Sequence, residues 1–167
     1  MEGGVADFTA ILAARMIAQG AEVQVLTSRQ AQGAAAPWAV HSLVRRWDLA
    51  SLWKAMAGLG RAFRPDVVNI QYQTAAYGMR PAINLLPRLL KTPCVVTFHD
   101  LKAPYLFPKA GAVRLWVNRV LAQNCRAAIA TNAEDLAALR AWPGVRRVAL
   151  IPIGSNVTPA LPAGYDR

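Results

Sequence analysis

The sequence predicts an α/β protein built on a doubly wound parallel sheet with helices on both faces. Three observations predict it. Segments with helical spacing alternate with short strand-like segments along the whole chain. One of those segments, Cys94-Val95-Val96-Thr97-Phe98, is almost wholly apolar, as a strand buried on both faces must be. Polar residues follow the strand-like segments directly, and parallel sheets bind ligands outside the C-terminal ends of their strands.

The elements follow in order. Val5, Phe8, Leu12 and Met16 recur at helical spacing and Gly20 stops the run, which predicts a helix over 4–19. Val23, Val25 and Thr27 alternate as a strand, a small-residue loop spans 30–37, and 41–44 reads as a second short strand. Asp48 is placed to cap a helix with the stripe Leu49, Leu52, Trp53, Met56, Leu59 and Phe63, and Pro65-Asp66 ends it. A strand follows over 67–72. Pro81 suits the first turn of a helix reaching Leu90. After the strand over 94–98 comes a loop over 102–111. A helix with the stripe Val113, Trp116, Val117, Val120 and Leu121 is next, and core packing is the expected job of Trp116. A strand over 128–131, a helix over 134–141, the Pro143-Gly144 turn and a strand over 148–151 complete the series. The chain shows no internal repeat.

The start is unusual for this architecture. In a doubly wound sheet the glycine-rich loop that opens the first helix follows a central first strand. Here Gly3-Gly4 lead into the helix with no strand ahead of them. The expectation is a sheet lacking its first strand, with unpaired backbone edges between its two halves.

Composition bounds the rest. A chain of 167 residues has room for one domain, and 54% hydrophobic against 17% charged residues excludes a disordered tail. Nineteen Lys and Arg against nine Asp and Glu give a net charge of +10, which suits a phosphorylated ligand, anionic lipid or nucleic acid. The basic residues form no dense run, and no nucleic-acid-binding motif stands out, which argues against nucleic acid. Lys109, Arg114 and Arg119, with Trp116, Phe107 and Tyr105, offer a basic amphipathic surface to anionic lipid. Cys94 and Cys125 lie in apolar contexts and read as free buried thiols of a reducing compartment. No apolar run approaches the ~18 residues of a spanning helix, and Glu2 and Asp7 are out of place in a signal peptide. The expected location is cytoplasmic, with peripheral contact at the inner membrane face compatible with the charge.

The candidate site residues follow from the strand ends: Gln71, Tyr72 and Gln73; His99 and Asp100; Thr131 and Asn132; and Asn156. Gly3, Gly4 and Asp7 join them at the first helix, whose N-terminus favours phosphate. His99 leaves an apolar strand at the ligand edge, where imidazole is suited to bond a sugar hydroxyl or carry a proton. The alternative is a His that merely bonds a neighbouring loop. His41, early in a short strand, reads as structural, and Asn132 as a helix cap whatever else it does. Two His and no suitably spaced Cys give no metal set. There is no Gly-x-Ser-x-Gly elbow, no Walker loop and no full Gly-x-Gly-x-x-Gly, which argues against serine hydrolases, NTPases and simple dinucleotide enzymes.

Five stretches in register carry a resemblance: Gly3-Gly4-Val5-Ala6-Asp7-Phe8; Ala21-Glu22-Val23-Gln24-Val25-Leu26-Thr27; Arg64-Pro65-Asp66-Val67-Val68-Asn69-Ile70-Gln71-Tyr72; Val95 to Asp100; and Ile151-Pro152-Ile153-Gly154-Ser155-Asn156. Their order and spacing resemble the N-terminal domain of glycosyltransferase family 4, of GT-B fold, over nearly the whole chain. The family's usual ending of this domain resembles Ile-Pro-Asn-Gly-Val-Asp, from which the last stretch departs.

The resemblance implies two Rossmann-like domains with the active site between them. The N-terminal domain mainly holds the acceptor, and the C-terminal domain holds the nucleotide sugar and carries a paired-glutamate motif. Transfer is retaining, of hexosyltransferase type, and needs neither metal nor cofactor. Gly3-Gly4 match the glycine loop beside the donor diphosphate, and His99 matches the active-site His that contacts the transferred sugar. Some relatives act on lipid acceptors at a membrane face. On this reading residues 1–158 are the acceptor-side domain, incomplete at its start, 159–167 are a frayed tail or linker, and the donor domain is absent. The chain is then expected to be inactive without that domain. The alternative, from a different class, is a non-catalytic basic α/β module that docks on an anionic membrane or a partner subunit.

Overall fold

The computed structural model describes residues 4–30, 37–101 and 111–154. Helix α1 (Gly4–Ala18) leads into β1 (Gln24–Ser28) and β2 (Ala39–Val44). Helix α2 (Leu49–Ala62), β3 (Val68–Tyr72), a 3₁₀ turn (Thr74–Tyr77) and α3 (Ala82–Leu89) follow. Then come β4 (Cys94–Phe98), α4 (Gly111–Asn124), β5 (Ala127–Ala130), α5 (Ala133–Ala141) and β6 (Val148–Leu150). The predicted elements form with boundaries moved by a residue or two. The 3₁₀ turn is additional, and Gly78 and Met79, both at positive φ, turn the chain out of it toward α3. The expected loops over 30–37 and 102–111 and the expected tail lie wholly or largely outside the described residues.

Among the described residues all strand pairs are parallel, and they form two sheets, β1-β2 and β3-β4-β5-β6. The fold is Rossmann-like. The larger sheet grows in one direction along the chain, so right-handed crossovers place α3, α4 and α5 on one face. Helix α1 lies on the other, where the Phe8 ring meets His99 beyond the end of β4. Among the described residues no strand joins β1 to β3. The amide of Val68 donates to Pro93 and the carbonyl of Tyr72 accepts from His99. Alternation along β3 therefore turns the backbone groups of Asn69 and Gln71 away from β4, to an edge without a strand.

One core nevertheless runs beneath both sheets. It includes Val44 from β2, Leu52 from α2, Ile70 and Tyr72 from β3, Val96 and Phe98 from β4, and Leu121 from α4. Burying each of the larger side chains contributes about 1.5–3 kcal/mol. Strand β4 is the middle of it, with Cys94, Val96, Thr97 and Phe98 all buried. Helix ends are set locally. The Asp48 carboxylate accepts from the Ser51 amide at 2.8 Å, and that bond holds its pKa below the usual value. Asn132 caps α5 in the same way through the Asp135 amide at 2.8 Å. His41 bonds Gln24 at 2.9 Å and ties β2 to β1, the structural role expected of it.

The expected burial of Trp116 is corrected. Its side chain is 61% exposed, and Val113 is 64% exposed. The buried face of α4 carries Val117, Asn118, Val120, Leu121 and Ala122, so three residues of the predicted stripe are buried while Trp116 lies off that face. Trp53 of α2 is likewise 54% exposed, because α2 buries Leu52 and Ala55 instead. Both cysteines are free and buried, and burial pushes the Cys94 thiol up to about 11 and Cys125 up to about 12, so both stay protonated and inert.

Amide hydrogen exchange checks the edge assignment. The amides of Ile70 and Tyr72 are expected to be protected to the level of the core, and those of Asn69 and Gln71 to exchange at least tenfold faster. Equal protection along β3 would show that this edge is paired.

Candidate functional site

The register of β3 on β4 builds the site. Gln71 pairs with Thr97, so residues 69 and 71 share a face with 95, 97 and 99. His99 therefore emerges beside the Gln71 side chain, and the two bond at 2.9 Å between His99 Nε2 and Gln71 Oε1. The Gln71 amide donates in turn to Asn69 Oδ1 at 3.0 Å, which fixes which end of the amide faces the ring. An amide oxygen only accepts, so His99 carries its proton on Nε2 and leaves Nδ1 as an acceptor. Phe8 of α1 packs edge-on against the imidazole, with centroids 4.9 Å apart. Burial holds the His99 pKa below its ordinary 6.5, so the ring is neutral near pH 7.

The other predicted residues fall into three groups. The first stands at the C-terminal edge with His99: Gln71 as described, Gln73 half-buried where the 3₁₀ turn begins, Asp100 half-buried beyond β4, and Thr131 just past β5. Thr131 donates its hydroxyl to the Phe98 carbonyl at 3.3 Å, which ties the ends of β4 and β5 together. Gly4 opens α1 and Asp7 lies in its first turn, both exposed. A Cβ on Gly4 would meet nothing within 4 Å, so the space over this helix start is open. In the second group the side chain is already engaged within the protein. The Tyr72 ring is 1% exposed, and its hydroxyl bonds Asn84 and Thr74. Asn132 is an exposed cap, bonded at both ends of its amide to Asp135. The third group, Gly3 and Asn156, lies outside the described residues.

Sequence reasoning missed two contributors. Phe8 entered as part of a helical stripe and Asn69 as a strand residue, each also within a resembling stretch, and neither as a site residue. The signal available for Asn69 was its place two residues before Gln71, on the same face of a strand. A cavity of about 390 Å³ lies elsewhere, at the opposite, N-terminal end of β4, lined in part by Lys91, Arg126 and Arg146. It is remote from His99 along the strand. Among the described residues no cluster of three or more His, Cys, Asp or Glu side chains is placed to hold a metal ion, and no helix is long and apolar enough to cross a membrane.

Residues 3–154 match the glycosyl transferase 4-like domain family. Among solved structures, a sucrose-phosphate synthase from Thermosynechococcus elongatus is similar in fold, with a TM-score of 0.61 at 18% sequence identity. The similarity covers 87% of this chain and 83% of that one. No curated protein matches the chain.

The environment of His99 has a pH signature. Its folded pKa lies below that of the unfolded chain, so the unfolded ring takes up a proton that the folded ring refuses. The stability this contributes is present above about pH 6.5 and is lost as pH falls through the ordinary pKa of 6.5 toward the folded value. Denaturation midpoints between pH 5 and 7, within the range of about 5–8 where His titrates, are expected to fall less steeply in His99→Gln than in the unaltered chain. Long-range ¹H–¹⁵N spectra are expected to show the Nε2–H tautomer; an Nδ1–H ring would contradict the bond to Gln71.

Proposed function

Because the chain belongs to the glycosyl transferase 4-like family, we propose that it is the acceptor-side domain of a retaining glycosyltransferase. It works with a donor-binding domain, moving a sugar from a nucleotide-sugar donor to a glycan or lipid acceptor without a metal. The observation that carries the proposal is the neutral, Gln71-anchored imidazole of His99 at the ligand edge.

Transfer from a nucleotide sugar requires charge stabilisation at a departing diphosphate and at an oxocarbenium-like centre. The start of α1 offers backbone N–H groups and the positive end of a helix dipole to the diphosphate. Gly4 keeps that approach free of a side chain. His99 turns its Nδ1 lone pair toward a sugar hydroxyl, and its neutrality matters because an imidazolium would repel the developing positive charge. Gln73, Asp100 and Thr131 stand along the same edge and serve to orient hydroxyls.

A second reading concerns where the acceptor is met. The outward face of α4 presents Val113, Leu115 and Trp116, each at least 48% exposed. With the net charge of +10, this face supports peripheral contact with an anionic membrane and a cytoplasmic enzyme working on a lipid acceptor.

The test is turnover of the complete two-domain enzyme with a panel of nucleotide sugars. His99→Ala is expected to lower kcat about 10²-fold with the fold intact by circular dichroism. Gly4→Ala is expected to raise the donor KM about tenfold without lowering the melting temperature, since the added Cβ meets no protein atom within 4 Å. Full activity in His99→Ala would remove His99 from the site.

A further inference from the structure

Helix α4 carries a conflict on its buried face. Asn118 and Leu121 are 0% exposed and Cys125 is 2% exposed. Arg114 lies one turn before Asn118 on that same row, where a helix facing a core should be apolar. Its Nε and Nη1 are buried and have no hydrogen-bond partner. The Asn118 Nδ2 is buried and unpartnered as well, although its Oδ1 accepts from Asn84 at 3.3 Å. Orphaned buried donors are costly, and a buried guanidinium nitrogen more so, unless an acceptor comes from outside the chain.

Their position suggests what that acceptor is. Asn118 belongs to a buried network with Asn84, Tyr72 and Thr74, directly beneath the C-terminal end of β3. Arg114 is one turn nearer the start of α4, and α4 starts on the side where β4 ends. Arg114 is partly open to solvent while Asn118 is fully buried, so a ligand reaches the Asn118 amide only from the Arg114 side, as that side chain shifts to meet it. We propose that Arg114 and Asn118 line a subsite for an oxyanion, a phosphate or carboxylate group, at the C-terminal edge of the sheet. The cation supplies the charge, the Asn118 amide supplies a neutral donor, and both are held rigidly by the helix. Assigning this oxyanion to the acceptor rests on the transferase reading; the binding itself does not.

The test is a titration of the chain with methyl phosphate, and separately with acetate, at constant ionic strength. The readouts are the Arg114 Nε–H and Asn118 side-chain amide resonances and the melting temperature. Saturating shifts of both resonances and a rising melting temperature are expected, and the anion that saturates at lower concentration identifies the group. Arg114→Met is expected to weaken binding about tenfold or more. Asn118→Asp, which keeps the acceptor for Asn84 and places a carboxylate beside the guanidinium, is expected to melt higher and lose the response. Linear drift with both anions, or unchanged affinity in Arg114→Met, would overturn the subsite. Because no turnover is read, saturable binding with an inactive complete enzyme would spare this inference and defeat the transferase reading alone.

Discussion

The site depends on how β4 is held. Its five residues sit between β3 and β5 in a parallel sheet, and such a sheet is stable only when helices cover both faces. Val96 and Phe98 satisfy one face and Thr97 is buried on the other. The strand therefore cannot slide by one residue without exchanging its two faces. That fixed register places His99 one step beyond the sheet, on the face it shares with Gln71 and α1. The backbone agrees, since the His99 amide donates to the Tyr72 carbonyl at 3.0 Å.

From this constraint a division of labour follows across the sheet. The face toward α3 and α4 is packed and carries the buried network of Tyr72, Asn84 and Asn118. The face toward α1 carries Asn69, Gln71 and His99, half-buried or exposed, with one aromatic ring set against the imidazole. Rigid packing on one side thus positions polar chemistry on the other. Tyr72 shows the separation within one segment. Its neighbour Gln71 faces the site, while its own ring stacks on Tyr77 and meets Phe98 edge-on in the core.

What the sequence made legible was local or strongly patterned. The caps Asp48 and Asn132 each act three residues away, so their chemistry is visible in the chain. The apolar run of β4 announced both a buried strand and the His at its end. Trp116 and Trp53 were misjudged because helical spacing shows that an apolar stripe exists, not which stripe turns inward. On α4 Val117, Val120 and Leu121 of the predicted stripe are buried, but the buried face also passes through Asn118, which its residue type did not mark. The bond between Gln71 and His99 spans 28 residues and depends on strand register, which no single segment encodes. The 3₁₀ turn Thr74–Tyr77 is too short to leave a periodic signal.

Everything proposed for this chain requires that ligands be met at the C-terminal edge beside His99. Mapping of backbone and side-chain chemical shifts in the intact chain, on adding nucleotide sugars and simple glycosides, tests it most directly. Saturable shifts are expected at Gln71, His99 and Thr131, with the rim of Lys91, Arg126 and Arg146 unmoved. Shifts confined to that opposite rim, with His99 silent, would contradict it.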